Sequence, residues 1–286
     1  MGTGIDLTHP DFANCTINAF SLVGSDVGDP VGHETGIVWL ITRIAPRADV
    51  ILAKDRIGAY GYMHHVIDAC ERLRELGVQI LNLSVATDFP TDGTDPLSRE
   101  VNYLVENGIV VVTAAGNKGP NFQTIGAPGA ADLGITVGKT NDRDQVCWDS
   151  SRGPTVDGRL KPDCVAPGAR IMAASPLQLR KGPYAMFHCT SYAVPHLAGT
   201  LALLKQAYPK ISASDMKRAI VSSCEPVKPS FLSRTASRGS LRKRVASRLR
   251  VALSSQADPR WTTGAGRINA LRSYEWLRKN EQASSS

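Results

Sequence analysis

Phe187-His188-Cys189-Thr190-Ser191-Tyr192-Ala193-Val194-Pro195-His196-Leu197-Ala198-Gly199 decides how the chain is read. It runs into a segment, about Thr190 to Ala207, that is apolar on nearly every side: Ala193, Val194, Leu197, Ala198, Leu201, Ala202, Leu203 and Leu204. A helix without a polar face belongs in the interior. Pro195 falls in its first turn, where a missing N–H costs little. Ser191 is therefore expected at the buried N-terminus of a central helix. There, uncommitted N–H groups and the helix dipole favour a developing negative charge. On this stretch alone Ser191 reads equally well as a helix cap or as a nucleophile.

The chain has 286 residues, enough for one large α/β domain with a substantial core. Apolar residues make up 42% and charged residues 21%, which is the balance of an ordinary globular domain rather than a disordered or fibrous chain. No apolar run is long enough for a transmembrane helix. The N-terminus, Met1-Gly2-Thr3-Gly4-Ile5-Asp6, lacks the basic and apolar pattern of a signal peptide. The six cysteines, Cys15, Cys70, Cys147, Cys164, Cys189 and Cys224, include no C-x-x-C pair, which argues against zinc and thioredoxin-type motifs. They read as scattered thiols, with disulfides left open.

Charge is unevenly placed. Arg234, Arg238, Arg242, Lys243, Arg244, Arg248 and Arg250 equal the whole net charge of +7, and no acid lies between Phe231 and Val251. The basic character therefore belongs to one segment. In it Leu241, Val245, Leu249 and Leu253 recur every four residues, so residues 228–259 read as a basic insertion, disordered or partly helical.

Strand and helix patterns alternate along the rest. Apolar spacing over Gly36 to Ile44 suits a buried helix beginning near His33. Asp49 to Ala53 reads as a core strand, Tyr60 to Leu76 as an amphipathic helix stopped by Gly77, and Val78 to Leu83 as the next strand. Pro96 to Glu106 reads as a surface helix. Ile109 to Thr113 is a β-branched run of the kind buried on both faces of a parallel sheet. Ser212 with Asp215 makes a box-like start to a helix over Ala213 to Ser223. Such alternation implies right-handed crossovers, with functional residues beyond the carboxyl ends of the strands. Ser84 and Asn117 each follow a strand.

Four motifs then fall in a telling order. Thr190-Ser191-Tyr192-Ala193-Val194-Pro195-His196-Leu197-Ala198-Gly199 resembles the nucleophile motif of the subtilisin-like serine proteases (subtilases, peptidase S8). Gly32-His33-Glu34-Thr35 resembles their His-Gly-Thr-His motif. Thr3-Gly4-Ile5-Asp6 with His9-Pro10-Asp11-Phe12 resembles their Asp-Thr-Gly-Ile-Asp…His-Pro motif, and Ala114-Ala115-Gly116-Asn117 their oxyanion-hole motif. The order acid, His, Ser is that of subtilisin. Ser150-Ser151-Arg152-Gly153-Pro154-Thr155, Lys161 to Gly168 and Thr263 to Ala270 are also subtilase-like.

The resemblance implies a three-layer α/β fold with a mostly parallel sheet flanked by helices, over 1–286 as a single catalytic domain. In that family an apolar strand and a propeptide precede the catalytic acid. The domain is thus expected to lack its first strand. The resemblance further implies Ser191 as nucleophile, His33 as base, and Asn117 with the Ser191 N–H as oxyanion donors. It implies Ser84, Val85, Ala86, Ala115 and Gly116 as residues that meet an extended substrate. The family's acid position is Gly2, which has no side chain, and Asp6 matches a non-catalytic position. Glu34, next to His33, is expected to be poorly placed to orient the same ring, yet to raise its pKa. Cys189 stands where the family has Gly, and is expected to crowd the turn or the substrate. His188 beside Cys189 also suggests a thiol protease, a weaker reading.

The function expected is serine endopeptidase activity on a polypeptide substrate, weakened by the missing acid. One alternative is an impaired fragment that binds peptides. Another is an interaction protein whose basic insertion meets an acidic membrane or nucleic acid, although no nucleic-acid partner is the preferred expectation. A monomer without cofactor or metal is expected, structural calcium being allowed only by the resemblance. The family is commonly secreted, but the compartment stays open.

Overall fold

The computed structural model describes residues 1–58, 60–179, 182–227 and 258–284. All but the last two residues of the expected insertion, 228–259, lie outside them. Two parallel sheet segments carry the fold. In the first, β1 (Ile17–Ser21) pairs with β2 (Val50–Lys54). In the second, β3 (Ile80–Leu83), β4 (Val110–Ala114), β5 (Ile135–Thr140) and β6 (Cys164–Pro167) lie side by side in chain order. An antiparallel hairpin, β7 (Ala169–Ala174) and β8 (Tyr184–His188), leads to the central helix.

Strand β4 explains the layering. Its five residues are all buried, and successive side chains point to opposite faces. Val110, Val112 and Ala114 join Val194, Leu197, Leu201 and Leu204 of helix α4 (Val194–Ala207). Val111 joins the opposite cluster, with Val66, Ala69, Cys70 and Leu73 of α2 (Met63–Glu75) and Leu97, Val101 and Leu104 of α3 (Pro96–Glu106). Helix α1 (His33–Ile44) packs on α4, as does the C-terminal helix Ala270–Ser284. The three-layer α/β arrangement follows, with helices on both faces of a mostly parallel sheet.

Local chemistry fixes the helix ends. Asp95 accepts from Ser98 N at 2.8 Å and Pro96 fills the first helical position of α3. Ser212 accepts from Asp215 N at 3.1 Å at the start of α5 (Ala213–Ser223). Helix α2 starts later than its apolar spacing predicts, because Tyr62 is extended at its N-cap.

One further expectation is corrected. The helix of the opening stretch is not continuous from Thr190. Thr190–Tyr192 forms a separate 3-10 turn and α4 begins at Val194, so Ser191 rides the turn in front of the helix. The Cys189 backbone is extended, at φ −164° and ψ 165°, a conformation open to any residue. All six cysteines are free. Among the described residues no helix is long and apolar enough to cross a membrane.

Between β2 and β3 the ladder is interrupted by a cleft of about 560 Å³, lined from one side by Val50, Ile51 and Leu52 and from the other by Ile80, Leu81 and Asn82. At one end the N-terminus enters this gap. Gly2 N donates to Ala53 O and Asp55 N to Gly2 O, each at 3.0 Å, so Gly2 continues the parallel pairing beside β2.

Candidate active site

The carboxyl ends of β2, β3 and β4 and the N-terminal turn of α1 meet at one cleft of about 310 Å³. Gly2, His33, Glu34, Ser84, Val85, Ala86, Asn117, Thr190 and Ser191 line it. Ala115 and Gly116 lie beside this cleft rather than in its lining. Ala115 is buried against Ile125 and Ala130, and Gly116, at φ +104°, sits against Ser151.

His33 is the first residue of α1. Buried Asp29 fixes that helix end. Its Oδ1 accepts from Gly32 N and Thr3 Oγ1, both at 2.8 Å, and its Oδ2 accepts from Thr35 N at 2.9 Å. One carboxylate thus ties the N-terminal segment to the start of α1. The His33 carbonyl accepts from Tyr192 OH at 3.0 Å, and the two rings meet edge to face with centroids 5.7 Å apart.

The expectation about Glu34 is overturned. Its Oε2 lies 3.2 Å from His33 Nδ1, although the two residues are neighbours in sequence. The reason is steric. A Cβ on Gly2 would collide with Glu34 Oε2 and Cδ, so the bare glycine opens the space into which the Glu34 carboxylate folds. Burial acts to raise the pKa of this carboxyl. The Met1 ammonium, 3.6 Å from Oε1, together with His33 and Arg56, outweighs it and holds the carboxyl below its usual range. Glu34 is therefore a buried carboxylate anion beside an imidazole.

The Ser191 hydroxyl donates to Ser84 O at 3.2 Å, and Ser84 Oγ donates back to Ser191 O at 3.0 Å. The Cys189 thiol interacts with both the His33 ring and the Ser191 hydroxyl. Burial acts to lower the His33 pKa, but the contacts with Cys189 and Glu34 outweigh it and push it up to about 10. Burial alone would raise the Cys189 thiol, whereas His33 and Ser191 bring it below its ordinary value. The site thus stabilises an imidazolium.

Asn117 is held from one end. Its Oδ1 accepts from Thr190 N at 2.9 Å and from Lys139 Nζ at 2.8 Å, which turns Nδ2 away from both donors. Lys139 is fully buried in β5 and also donates to Asp149 Oδ2 at 2.8 Å. The sequence reading missed Lys139 altogether. Its only signal is a lysine inside the apolar strand Ile135–Thr140.

A sequence profile of the subtilase family, peptidase S8, matches residues 1–245. Serine protease AprX of Bacillus subtilis (strain 168) is 36% identical over 261 residues, covering 77% of this chain and 59% of AprX. Pyrolysin of Pyrococcus furiosus is 33% identical over 193 residues, covering 56% of this chain and 14% of pyrolysin. Thermitase of Thermoactinomyces vulgaris is 29% identical, with 79% of this chain and 80% of thermitase covered. The chain therefore spans less than two thirds of the length of AprX and about a seventh of that of pyrolysin. Among solved structures, the prenylagaramide maturation protease PagA superposes with a TM-score of 0.74 at 20% identity, over 96% of this chain and 92% of PagA. A cold-adapted subtilisin-like serine proteinase gives 0.68 at 24% identity, over 80% and 81%. At these identities the structural matches speak for the fold alone.

Proposed function

We infer the activity from one premise: this chain belongs to the subtilase family. We propose that it hydrolyses peptide bonds as a serine endopeptidase, with Glu34 supplying the carboxylate that Gly2 lacks. The observation that carries the reading is a carboxylate 3.2 Å from His33 Nδ1, in a cleft that Ser191 and Asn117 also line.

With Nδ1 turned to Glu34, Nε2 is the nitrogen that serves as base. The Ser191 hydroxyl rotates from Ser84 O toward His33 and gives up its proton as Oγ attacks the scissile carbonyl carbon. The new oxyanion accepts from Asn117 Nδ2 and the Ser191 N–H. His33 returns the proton to the leaving amine, which departs and leaves an ester on Ser191. Water then repeats the sequence and frees the acid. Glu34 stabilises the imidazolium in both halves and stays ionised.

Two contacts favour a second reading, a peptide-binding chain with impaired turnover. The Ser191 hydroxyl is directed at Ser84 O, and the Cys189 thiol engages His33. Incubation with a library of unstructured peptides, read by mass spectrometry, separates the two. New termini that are absent with Ser191→Ala support the hydrolase. Saturable binding with intact peptides supports the alternative.

A further inference from the structure

Lys139 links Asn117 to a second group of side chains. Cys147, Asp149 and His188 present a thiol sulfur, a carboxylate oxygen and an imidazole nitrogen that all lie within 4.8 Å of one another. These come from two distant parts of the chain. Cys147 and Asp149 sit on one tight turn, held by Cys147 N donating to Lys139 O at 2.9 Å and Ser150 N to Cys147 O at 3.1 Å. His188 ends β8, where it pairs with Ala169.

We propose that Cys147, Asp149 and His188 form a three-ligand site for a zinc-class divalent ion, with a fourth position for an exchangeable ligand. Neither the hydrolase reading nor its failure bears on this proposal.

Donor chemistry selects the metal. A thiolate disfavours calcium and magnesium, which take oxygen, while sulfur, imidazole and carboxylate together suit zinc and cobalt(II). Geometry is close to what such an ion needs. Bond lengths of roughly 2.0–2.3 Å around a tetrahedral centre put neighbouring ligand atoms roughly 3.3–3.8 Å apart. His188 Nε2 is already 3.5 Å from Asp149 Oδ1 and 3.4 Å from Oδ2. The ligand atoms lie within 4.8 Å of one another, so the thiol needs to close by roughly 1.5 Å at most to complete the set. His188 is half exposed, so an ion can enter from its side, while buried Cys147 forms the floor.

The surroundings are built as metal sites usually are. Lys139 Nζ donates to Asp149 Oδ2 and so helps to fix the carboxylate, both of whose oxygens lie within 3.5 Å of His188 Nε2. On binding, Cys147 Sγ–H loses its proton to water as the sulfur–metal bond forms. Two thiolate and carboxylate charges then balance the ion, and the Lys139 ammonium remains with Asp149 and Asn117.

Cobalt(II) titration of the metal-stripped full chain tests this, because a thiolate ligand gives cobalt a charge-transfer absorption. The expected result is one equivalent bound with that band, and its loss when zinc displaces cobalt. Cys147→Ser should abolish the band with the circular dichroism unchanged. His188→Ala, at a half-exposed position, should weaken binding at least tenfold. Cys189→Ser should leave both intact, which excludes the other thiol–imidazole pair. No band with the parent chain, or an undiminished band in Cys147→Ser, overturns the proposal. If Cys147→Ser fails to fold, unchanged affinity in His188→Ala overturns it.

Discussion

Glu34 and Gly2 share one volume. The Glu34 carboxylate fills the space that a side chain on Gly2 would need, and from there it reaches His33 Nδ1. On the proposed reading, this carboxylate does the work of the acid for which Gly2 has no side chain.

Glu34→Gln keeps the shape and removes the charge. Peptide hydrolysis should fall by roughly 10²–10⁴-fold in kcat, the scale of losing the acid in related triads. Gly2→Asp alone should also lose activity, because the two side chains collide. Combined with Glu34→Gly it should recover much of the loss, since the carboxylate then returns to the volume from the other side. Steady-state kinetics on a chromogenic peptide read all three variants.

The pH profile follows from the raised His33 pKa. A base must be neutral, and a group titrating near 10 is only about 0.1% neutral at pH 7. The rate should therefore climb roughly tenfold per unit through pH 7–9 and level off near 10. Cys189→Gly removes one of the contacts that hold the proton, so its ascending limb should move to lower pH. Stability has the opposite slope. The folded pKa lies above the unfolded value of 6.5, so the contribution is complete below pH 6.5 and is lost as pH rises toward 10. Thermal melts across that range check the sign.

Asn117→Ala should lower kcat by roughly 10²–10³-fold with KM nearly unchanged, as expected for a donor used only in the transition state. Lys139→Met should reproduce part of that kcat loss, about tenfold, through a misaligned Asn117. Because Lys139 touches no substrate, its KM should stay put, which separates positioning from a general loss of folded protein.

Some of this was readable in the residues and some was not. Helix α4 announced itself because Leu197, Leu201 and Leu204 leave no polar face, and β4 because Val110, Val111 and Val112 are β-branched in a row. Strand β1, Ile-Asn-Ala-Phe-Ser, mixes polar and apolar residues and is only half buried, so it gave no such signal. The reach of Glu34 was illegible because it depends on a hole made by Gly2, far away in sequence. Lys139 and its pairing with Asp149 and Asn117 were illegible for the same reason: only the folded sheet brings them together.

Leu201→Ala should cost about 2–5 kcal/mol, since Leu201 is wholly buried between α4 and the sheet and its cavity cannot easily collapse. Urea melts should show a lower midpoint with an unchanged slope.

Covalent labelling tests the central claim most directly. Ser191 Oγ should attack the phosphorus of a fluorophosphonate offered to the folded chain, forming a P–O bond as fluoride leaves to solvent and the hydroxyl proton passes to His33, and the adduct should map to Ser191. It should be absent in Ser191→Ala and strongly slowed in His33→Ala. A folded chain that takes no label, or takes it on a residue other than Ser191, would contradict the account.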